Sequence, residues 1–247
     1  MPDDHFPERV ARGYDAAVES MFDPAVVEPA VALLAELAGG RSGVALEFGI
    51  GTGRIALPLH RRGVRVHGLD LSSAMVEQLR AKPGGDEIEV TIGDFATTRV
   101  GGGPFAVVYL VFNTVMNLTT QDEQVACFCN AAAHLAPGGY FVVEVMVPDL
   151  QRLPRGETVR PFNVGATALG FDEYDTVRQG LVSHHYRLID GVWEHGSWPF
   201  RYVWPSELDL MARIAGMSLR ERWAAWTRAP FTADSTSHVS VWQKTNG

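Results

Sequence analysis

A chain of 247 residues, 46% hydrophobic and 20% charged, has room for one generous α/β domain with a lid, and its composition excludes disordered, collagen-like and mucin-like classes. The formal net charge of −8 argues against a surface that grips a phosphate backbone, so a small molecule is the expected partner, with no nucleic acid. The opening Met1-Pro2-Asp3-Asp4-His5-Phe6-Pro7-Glu8-Arg9 lacks a basic start and apolar run, and no later stretch is long enough to span a bilayer, so a cytoplasmic protein with no membrane partner is expected.

After a short N-terminal segment, Val26, Val27, Ala30, Leu33, Leu34 and Leu37 recur at helical spacing, with Asp23-Pro24 at the start and Gly39-Gly40 at the end. Pro29 is expected to delay or kink that start. Apolar strands and amphipathic helices then alternate: a strand over 44–48, a helix from about Arg54, a strand over 64–70 and a helix from Ala74. This alternation predicts a parallel sheet. Residues 88–92 and 105–112 read as third and fourth strands, each continuous enough to be buried on two faces. Thr120 and Glu123 have capping-box spacing and open a helix to about Leu135. Within it Cys127 and Cys129 point to different sides and read as buried thiols, with neither a disulfide nor a metal site expected.

A fifth strand over 140–147 follows Pro137-Gly138-Gly139, and there the alternation stops. Residues from about 149 to 204 hold three β-rich runs, 171–177, 181–189 and 192–204, separated by Gln179-Gly180 and Asp190-Gly191. Asp-Gly between two such runs is a hairpin signal, so an antiparallel meander is expected, inserted in the parallel fold. Ser206 is read as the cap of a helix stopped by Gly216, and two more β-rich runs, 218–226 and 238–244, finish the chain.

The chemistry concentrates in Glu47-Phe48-Gly49-Ile50-Gly51-Thr52-Gly53, between the first strand and a helix, where missing Cβ atoms let backbone amides approach a ligand. A glycine turn can also be only a turn. Asp70 ends the second strand, where a carboxylate can accept both ribose hydroxyls of a nucleoside; its structural alternative is an acid at a helix start near Ser72 and Ser73. Asp94 and Phe95 end the third strand, where an adenine amino group and base face can be met, or where a loop acid sits beside a core aromatic. Position 54 is arginine, not the third glycine of a dinucleotide fingerprint, and no lysine follows the glycines as in a nucleoside triphosphate loop.

On Glu47 to Gly53, Asp70, Gly93-Asp94-Phe95 and Pro137-Gly138-Gly139, the chain resembles the class I S-adenosylmethionine-dependent methyltransferases over nearly its whole length. The resemblance implies an α/β, Rossmann-like seven-stranded, mostly parallel sheet whose last strand is antiparallel, here with an inserted antiparallel β lid over about 149–204 and an N-terminal lid over about 1–22. It implies S-adenosyl-L-methionine as cofactor, with Gly49 and Gly51 bordering the methionine part and Glu47 holding the loop or the amino group. Phe48, Gly53, Leu71, Met75 and Phe112 complete the implied cofactor set with Asp70, Asp94 and Phe95. The loop 111–118 and the aromatic meander look similar to actinobacterial small-molecule N-methyltransferases of antibiotic pathways acting on lincosamides and amino sugars.

Ligands in open parallel sheets bind beyond the carboxyl ends of the strands, which points to the loop 112–118 as the reacting centre. Phe112 is expected to bound the methyl donor and Asn113, ahead of Asn117, to orient the substrate; a core phenylalanine and turn-shaping asparagines are the alternatives. Tyr14 belongs to the segment that folds over the cofactor in the resembled enzymes. The meander carries His184, His185, Tyr186, Trp193, His195, Trp198, Tyr202 and Trp204. Strand alternation sends His184 and His185 to opposite faces, so at most one serves as proton acceptor, and His184 is taken as the candidate. His238, after Asp234 and Ser235, is a weaker one. The meander is also a candidate surface for a homo-oligomer. Methyl transfer to an amine is the expected reaction, with O- or C-transfer, or a non-catalytic cofactor-binding protein, as alternatives.

Overall fold

The computed structural model describes residues 6–40 and 43–245, so the first part of the expected N-terminal lid, residues 1–5, lies outside the described residues. Helices α1 (Glu8–Ala17) and α2 (Pro24–Leu37) precede β1 (Val44–Phe48), α3 (Ala56–Arg61), β2 (Arg65–Asp70), α4 (Ser73–Arg80), β3 (Glu89–Ile92), β4 (Phe105–Leu110), α5 (Gln121–His134) and β5 (Leu135–Met146). The insert follows as β6 (Val159–Val164), β7 (Ala168–Asp175), β8 (Gly180–Ile189) and β9 (Val192–Arg201). Then come α6 (Pro205–Ile214), β10 (Met217–Trp223) and β11 (Ser237–Lys244).

The main sheet has seven strands in the order β10-β11-β5-β4-β1-β2-β3. The first five strands in sequence run parallel, and β11 is antiparallel to both β5 and β10. Side chains alternate across it. Leu46, Phe48, Val108 and Leu110 meet Phe128 and Ala131 of α5 and Leu208 and Met211 of α6 on one side. Ala45, Val107 and Tyr109 meet Val31 and Leu34 of α2, Leu57 of α3 and Leu79 of α4 on the other. Burial on both faces explains the unbroken apolar runs of β1 and β4.

Several local expectations need correction. Pro29 lies inside α2, which starts at Pro24 where the Asp23 side chain accepts the Ala25 N–H at 2.8 Å, so the start is not delayed. The β3 strand is a sheet edge, half exposed, and Ile92 is 48% exposed, so it is not buried on two faces. Cys127 is buried but Cys129 is exposed. Pro205, not a Ser206 cap, opens α6 from Trp204, consistent with the fixed φ of proline at a first helical position.

The meander is a separate four-stranded sheet, β6-β7-β8-β9, turned at Asp190 (φ +50°) and Gly191 (φ +80°) as the Asp-Gly pair predicts. Its fourth strand, β6, is not among the runs read from the sequence, and Pro161 lies within it. As the sheet edge, β6 tolerates a residue without an N–H.

The insert is bolted to the main domain by a buried polar cluster. Gln124 of α5 donates to the carbonyls of Val115, Leu118 and Arg201 and accepts from Arg201 Nη1 at 2.5 Å. Arg201 Nη2 donates to Glu207 at 2.7 Å, and Gln179, in the β7–β8 turn, donates to the same carboxylate at 2.7 Å. Burial raises the Glu207 pKa, but the hydrogen bonds from Arg201, Gln179 and Gln121 outweigh it and hold the carboxyl below its ordinary value. Arg201→Ala strands a buried carboxylate and amide, so an expected loss of about 3–5 kcal/mol should appear as a lower melting temperature. Truncating the exposed Arg228, which pairs with Glu36, should change stability by no more than about 0.5 kcal/mol.

Candidate functional site

The carboxyl edge of the parallel strands is where the glycine segment lies. Gly49, Gly51 and Gly53 have φ of +68°, +53° and +81°, the left-handed region that a side chain makes costly. A Cβ at Gly49 would sit 2.6 Å from Thr114 Cγ2, so this glycine admits the turn after β4; one at Gly53 would sit 2.2 Å from Leu79 Cδ1, so that glycine admits α4. At Gly51 the nearest atom is Met75 Cε at 3.4 Å, leaving its surroundings open.

Asp70 fastens this loop to β2. Its Oδ2 accepts the Gly51 N–H at 2.6 Å and its Oδ1 the Ser72 N–H at 2.9 Å. An open cleft lies above. Gly49, Gly51, Asp70, Leu71, Met75, Asp94 and Phe95 line it. Asp94 closes its own turn by accepting the Ala96 N–H at 2.8 Å.

Helix α1 forms the roof. Tyr14 lines the cleft together with Phe6, their rings meeting edge to face at 5.7 Å. The segment is fixed where Ser72 Oγ donates to the Phe6 carbonyl at 2.8 Å, Thr52 Oγ1 donates to Asp15 at 2.6 Å, and Lys82 pairs with Asp15 at 2.5 Å. Burial raises the Tyr14 pKa, against the opposing charge of Arg54, so its hydroxyl stays protonated and available as a donor at neutral pH.

Glu47, Phe48, Gly53, Phe112 and Asn113 do not line the cleft. Phe48 is fully buried and stacks on Phe95 at 6.0 Å, and neither it nor Gly53 lines the cleft. Glu47 is buried beneath the loop, accepting the Tyr109 hydroxyl at 3.0 Å. Phe112 and Asn113 adopt consecutive left-handed conformations, φ +57° and +63°, a strain of about 1–2 kcal/mol each. Glu144 holds them there: its Oε2 accepts the Phe112 N–H at 2.8 Å while its Oε1 accepts Trp226 Nε1 at 2.7 Å. Asn113 Oδ1 accepts the Met146 N–H at 2.7 Å. Asn113 therefore braces the loop against β5, and Asn117, ranked below it from sequence, lines the cleft with Thr114 and Leu118.

Phe112 is also outside the cleft lining; the Arg54 guanidinium lies 5.1 Å from its ring centre. From sequence Arg54 reads only as a missing glycine. Its Nη1 donates to the Met21 carbonyl at 3.4 Å, and its buried Nη2 has no hydrogen-bond partner among the described residues. The guanidinium is felt electrostatically by both Tyr14 and Glu47, a cation beside the glycine loop suited to a carboxylate.

His184 does not reach the cleft either. It lies in a ring stack on one face of the insert, with Phe171 at 4.8 Å and His195 at 5.5 Å, and its Nδ1 is 3.2 Å from His195 Nε2. His238 is buried in β11, its Nδ1 2.8 Å from Ser240 Oγ, and burial pushes its pKa down to about 4. No group of histidine, cysteine and carboxylate residues among those described is arranged to hold a metal ion.

Burial raises the Glu47 pKa from 4.5 to about 8 despite the Tyr109 hydrogen bond and the Arg54 charge. The folded chain therefore keeps a proton that the unfolded chain has lost, and stability falls as pH rises from about 4.5 through about 8. Glu47→Gln keeps an acceptor for Tyr109 but cannot ionise. Melting temperatures measured across this interval without ligand should fall less steeply in that variant than in the parent.

A family model described as a methyltransferase domain matches residues 45–139, the stretch that carries the glycine loop, Asp70 and Asp94. The structure of the CcbJ methyltransferase from Streptomyces caelestis is 39% identical and superimposes with a TM-score of 0.79, covering 88% of this chain and 89% of that one. A cypemycin N-terminal methyltransferase from a Streptomyces species is 25% identical over 94% of this chain and 97% of its own length. The S-adenosylmethionine-bound structure of CalS10, an amino pentose methyltransferase from Micromonospora echinaspora, shares the fold with a TM-score of 0.70 at 20% identity, covering 99% of this chain and 100% of that one. On the 39% identity to CcbJ over most of both chains, together with the methyltransferase-domain match, the chain belongs to the S-adenosylmethionine-dependent methyltransferases.

Proposed function

We propose that the chain transfers a methyl group to an amine nitrogen of a small acceptor in a secondary-metabolite pathway. The observation that carries this is the character of the cleft wall: among the described residues no histidine, lysine or cysteine lines it, and both aspartates are engaged by backbone amides. A hydroxyl acceptor needs a placed base. A neutral amine brings its own lone pair and needs chiefly alignment, which can be worth about 7 kcal/mol or more. The net charge of −8 also suits an amine better than an anionic acceptor. The names of the cypemycin N-terminal methyltransferase and of the amino pentose methyltransferase CalS10 support the same class.

When bound, S-adenosylmethionine supplies a methyl group on a positively charged sulfur, already activated for displacement. In this reading the backbone at Gly49 and Gly51 takes the methionine part, and the buried, unpartnered Nη2 of Arg54 takes the carboxylate. Asp70 accepts from the ribose hydroxyls, compatible with its two amide bonds because a carboxylate has about four acceptor sites. Leu71, Met75 and Phe95 enclose the base, with Asp94 meeting its amino group. Tyr14 of α1 and Phe6 just before it close over the cleft and exclude water, and Asn117 orients the acceptor beside Thr114. Phe112 acts indirectly, as the ring beneath Arg54. Exposed Val164, Val192 and Trp193 on the insert also support self-association through this segment, which light scattering of the purified chain should read as an oligomer that Val192→Glu weakens.

Incubation with labelled S-adenosylmethionine and a panel of amines and matched alcohols should give mono- or dimethylated amines by mass spectrometry, and unmethylated alcohols. Products methylated only on oxygen or carbon would overturn the amine assignment, and cofactor binding without transfer to any acceptor would favour a binding protein. Gly51→Val imposes left-handed strain of about 1–2 kcal/mol and fills the open side of the loop, so calorimetry should show cofactor affinity reduced at least about tenfold. Arg54→Met should weaken S-adenosylhomocysteine binding while leaving adenosine binding nearly unchanged.

A further inference from the structure

From Tyr140 to Met146, strand β5 carries one charged residue, Glu144. Its side chain lies on the α2 side of the sheet, because Val142, two residues before it, packs in that layer together with Phe112 and Trp226. The carboxylate is divided between two segments far apart in the chain: Oε2 accepts the Phe112 N–H at 2.8 Å and Oε1 accepts the indole N–H of Trp226 at 2.7 Å. The Glu144 carbonyl accepts the Asn113 N–H at 3.2 Å, so one residue takes both amides of the left-handed pair. Both carboxylate oxygens thus meet neutral donors. A glutamine here offers one acceptor oxygen, and its amide nitrogen faces a second N–H.

Trp226 is a fixed anchor. It sits in the connection between β10 and β11, which is closed by the Ala224 N–H on the Ala229 carbonyl at 2.9 Å and by Ser237 Oγ on the Ala224 carbonyl at 3.0 Å. From there the indole reaches a residue 82 positions earlier in the chain.

What Glu144 fixes in turn is the ring against Arg54. Phe112 at φ +57° is held in a conformation that a side chain disfavours, and without an acceptor on its N–H it is free to return to an ordinary φ and carry its ring away. The ring centre lies 5.1 Å from the Arg54 guanidinium, which also donates to the Met21 carbonyl at 3.4 Å and leaves a buried Nη2 without a hydrogen-bond partner among the described residues. A long side chain loses rotamer freedom when it takes a ligand. One already seated on a ring loses less, so affinity at Nη2 depends on that platform.

Resting on the reading that Arg54 takes the cofactor carboxylate, we propose that Glu144, anchored by Trp226, is a positioning residue for the amino-acid end of the cofactor: it holds Phe112 against the Arg54 guanidinium and so sets how strongly the chain prefers a ligand that carries that end. Glu144 and Trp226 do not line the cleft, so they act through Phe112 and Arg54 and not by contact with the ligand.

The test compares two ligands by calorimetry on the full chain: S-adenosylhomocysteine, and 5′-methylthioadenosine, which has the same nucleoside and a thioether but no amino-acid end. Glu144→Gln should weaken S-adenosylhomocysteine about tenfold and leave methylthioadenosine within about twofold of the parent. Trp226→Phe removes the indole N–H, keeps an aromatic ring, and should give a smaller loss of the same selective kind. Arg54→Met should erase the preference for S-adenosylhomocysteine, and in that background Glu144→Gln should weaken it no further. Equal weakening of both ligands by Glu144→Gln, an unchanged preference in both Glu144→Gln and Trp226→Phe, or losses from Arg54→Met and Glu144→Gln that add in full would overturn the positioning role. Should Glu144→Gln fail to fold, Trp226→Phe decides by the same comparison. An unchanged preference in Arg54→Met would instead overturn the carboxylate reading, which stands if Arg54→Met erases the preference while Glu144→Gln does not touch it.

Discussion

The cofactor side of this protein depends on the carboxylate of Asp70. From the end of β2 it accepts one amide of the glycine loop and one just before α4, and so ties the two elements together at this edge. A charged acceptor makes hydrogen bonds roughly twice as strong as a neutral one, and here both are short. The loop can then follow a left-handed path that leaves Gly51 open, while its neighbours Gly49 and Gly53 are filled by Thr114 and Leu79. Three glycines of one motif thus do different work: one faces the ligand space, one admits the turn after β4, and one admits a helix.

The acceptor side is held by a different device. Phe112 and Asn113 are strained, and the strain is offset by Glu144 and by the Asn113 side chain, both reaching across to β5. That pairing aims the following turn, with Asn117, into the cleft. The same turn supports β9 and shares the buried amide of Gln124 with Arg201, so the loop after β4, the insert and α5 form one connected body. An insert merely tethered by two crossings would be free to drift. Arg201 and Glu207, buried and paired, make such drift costly because separating them leaves a charge without a partner.

Much of this was legible in the sequence where the signal is local. Strand β1 and the capping box of α5 follow from apolar runs and from one pair of side chains three residues apart. The hairpin at Asp190-Gly191 follows from the φ values those two residues accept. Side-chain direction across strands was less legible. Alternation separates His184 from His185 but does not say which face is inward; Tyr174 and Leu181, buried against the main domain, decide in favour of His185. Arg54 was hidden for a similar reason: as a sequence position it is only a departure from a glycine pattern, and it acquires meaning from Phe112, Tyr14 and Met21, which lie far from it along the chain.

By itself the sequence determined the parallel sheet, its glycine loop with two acids at strand ends, and the inserted meander, because each rests on spacing within a few residues or on the conformations glycine and proline permit. The tertiary structure decided which of those residues face the cleft. It placed Glu47 and Phe48 under the loop and Asn113 against β5, put Asn117, Phe6 and Ser72 in the cleft wall, and set Arg54 against the Phe112 ring. The reason is physical: a side chain's work depends on what packs against it, and these partners are brought together by sheet register and by an inserted sheet, not by neighbouring positions in the chain.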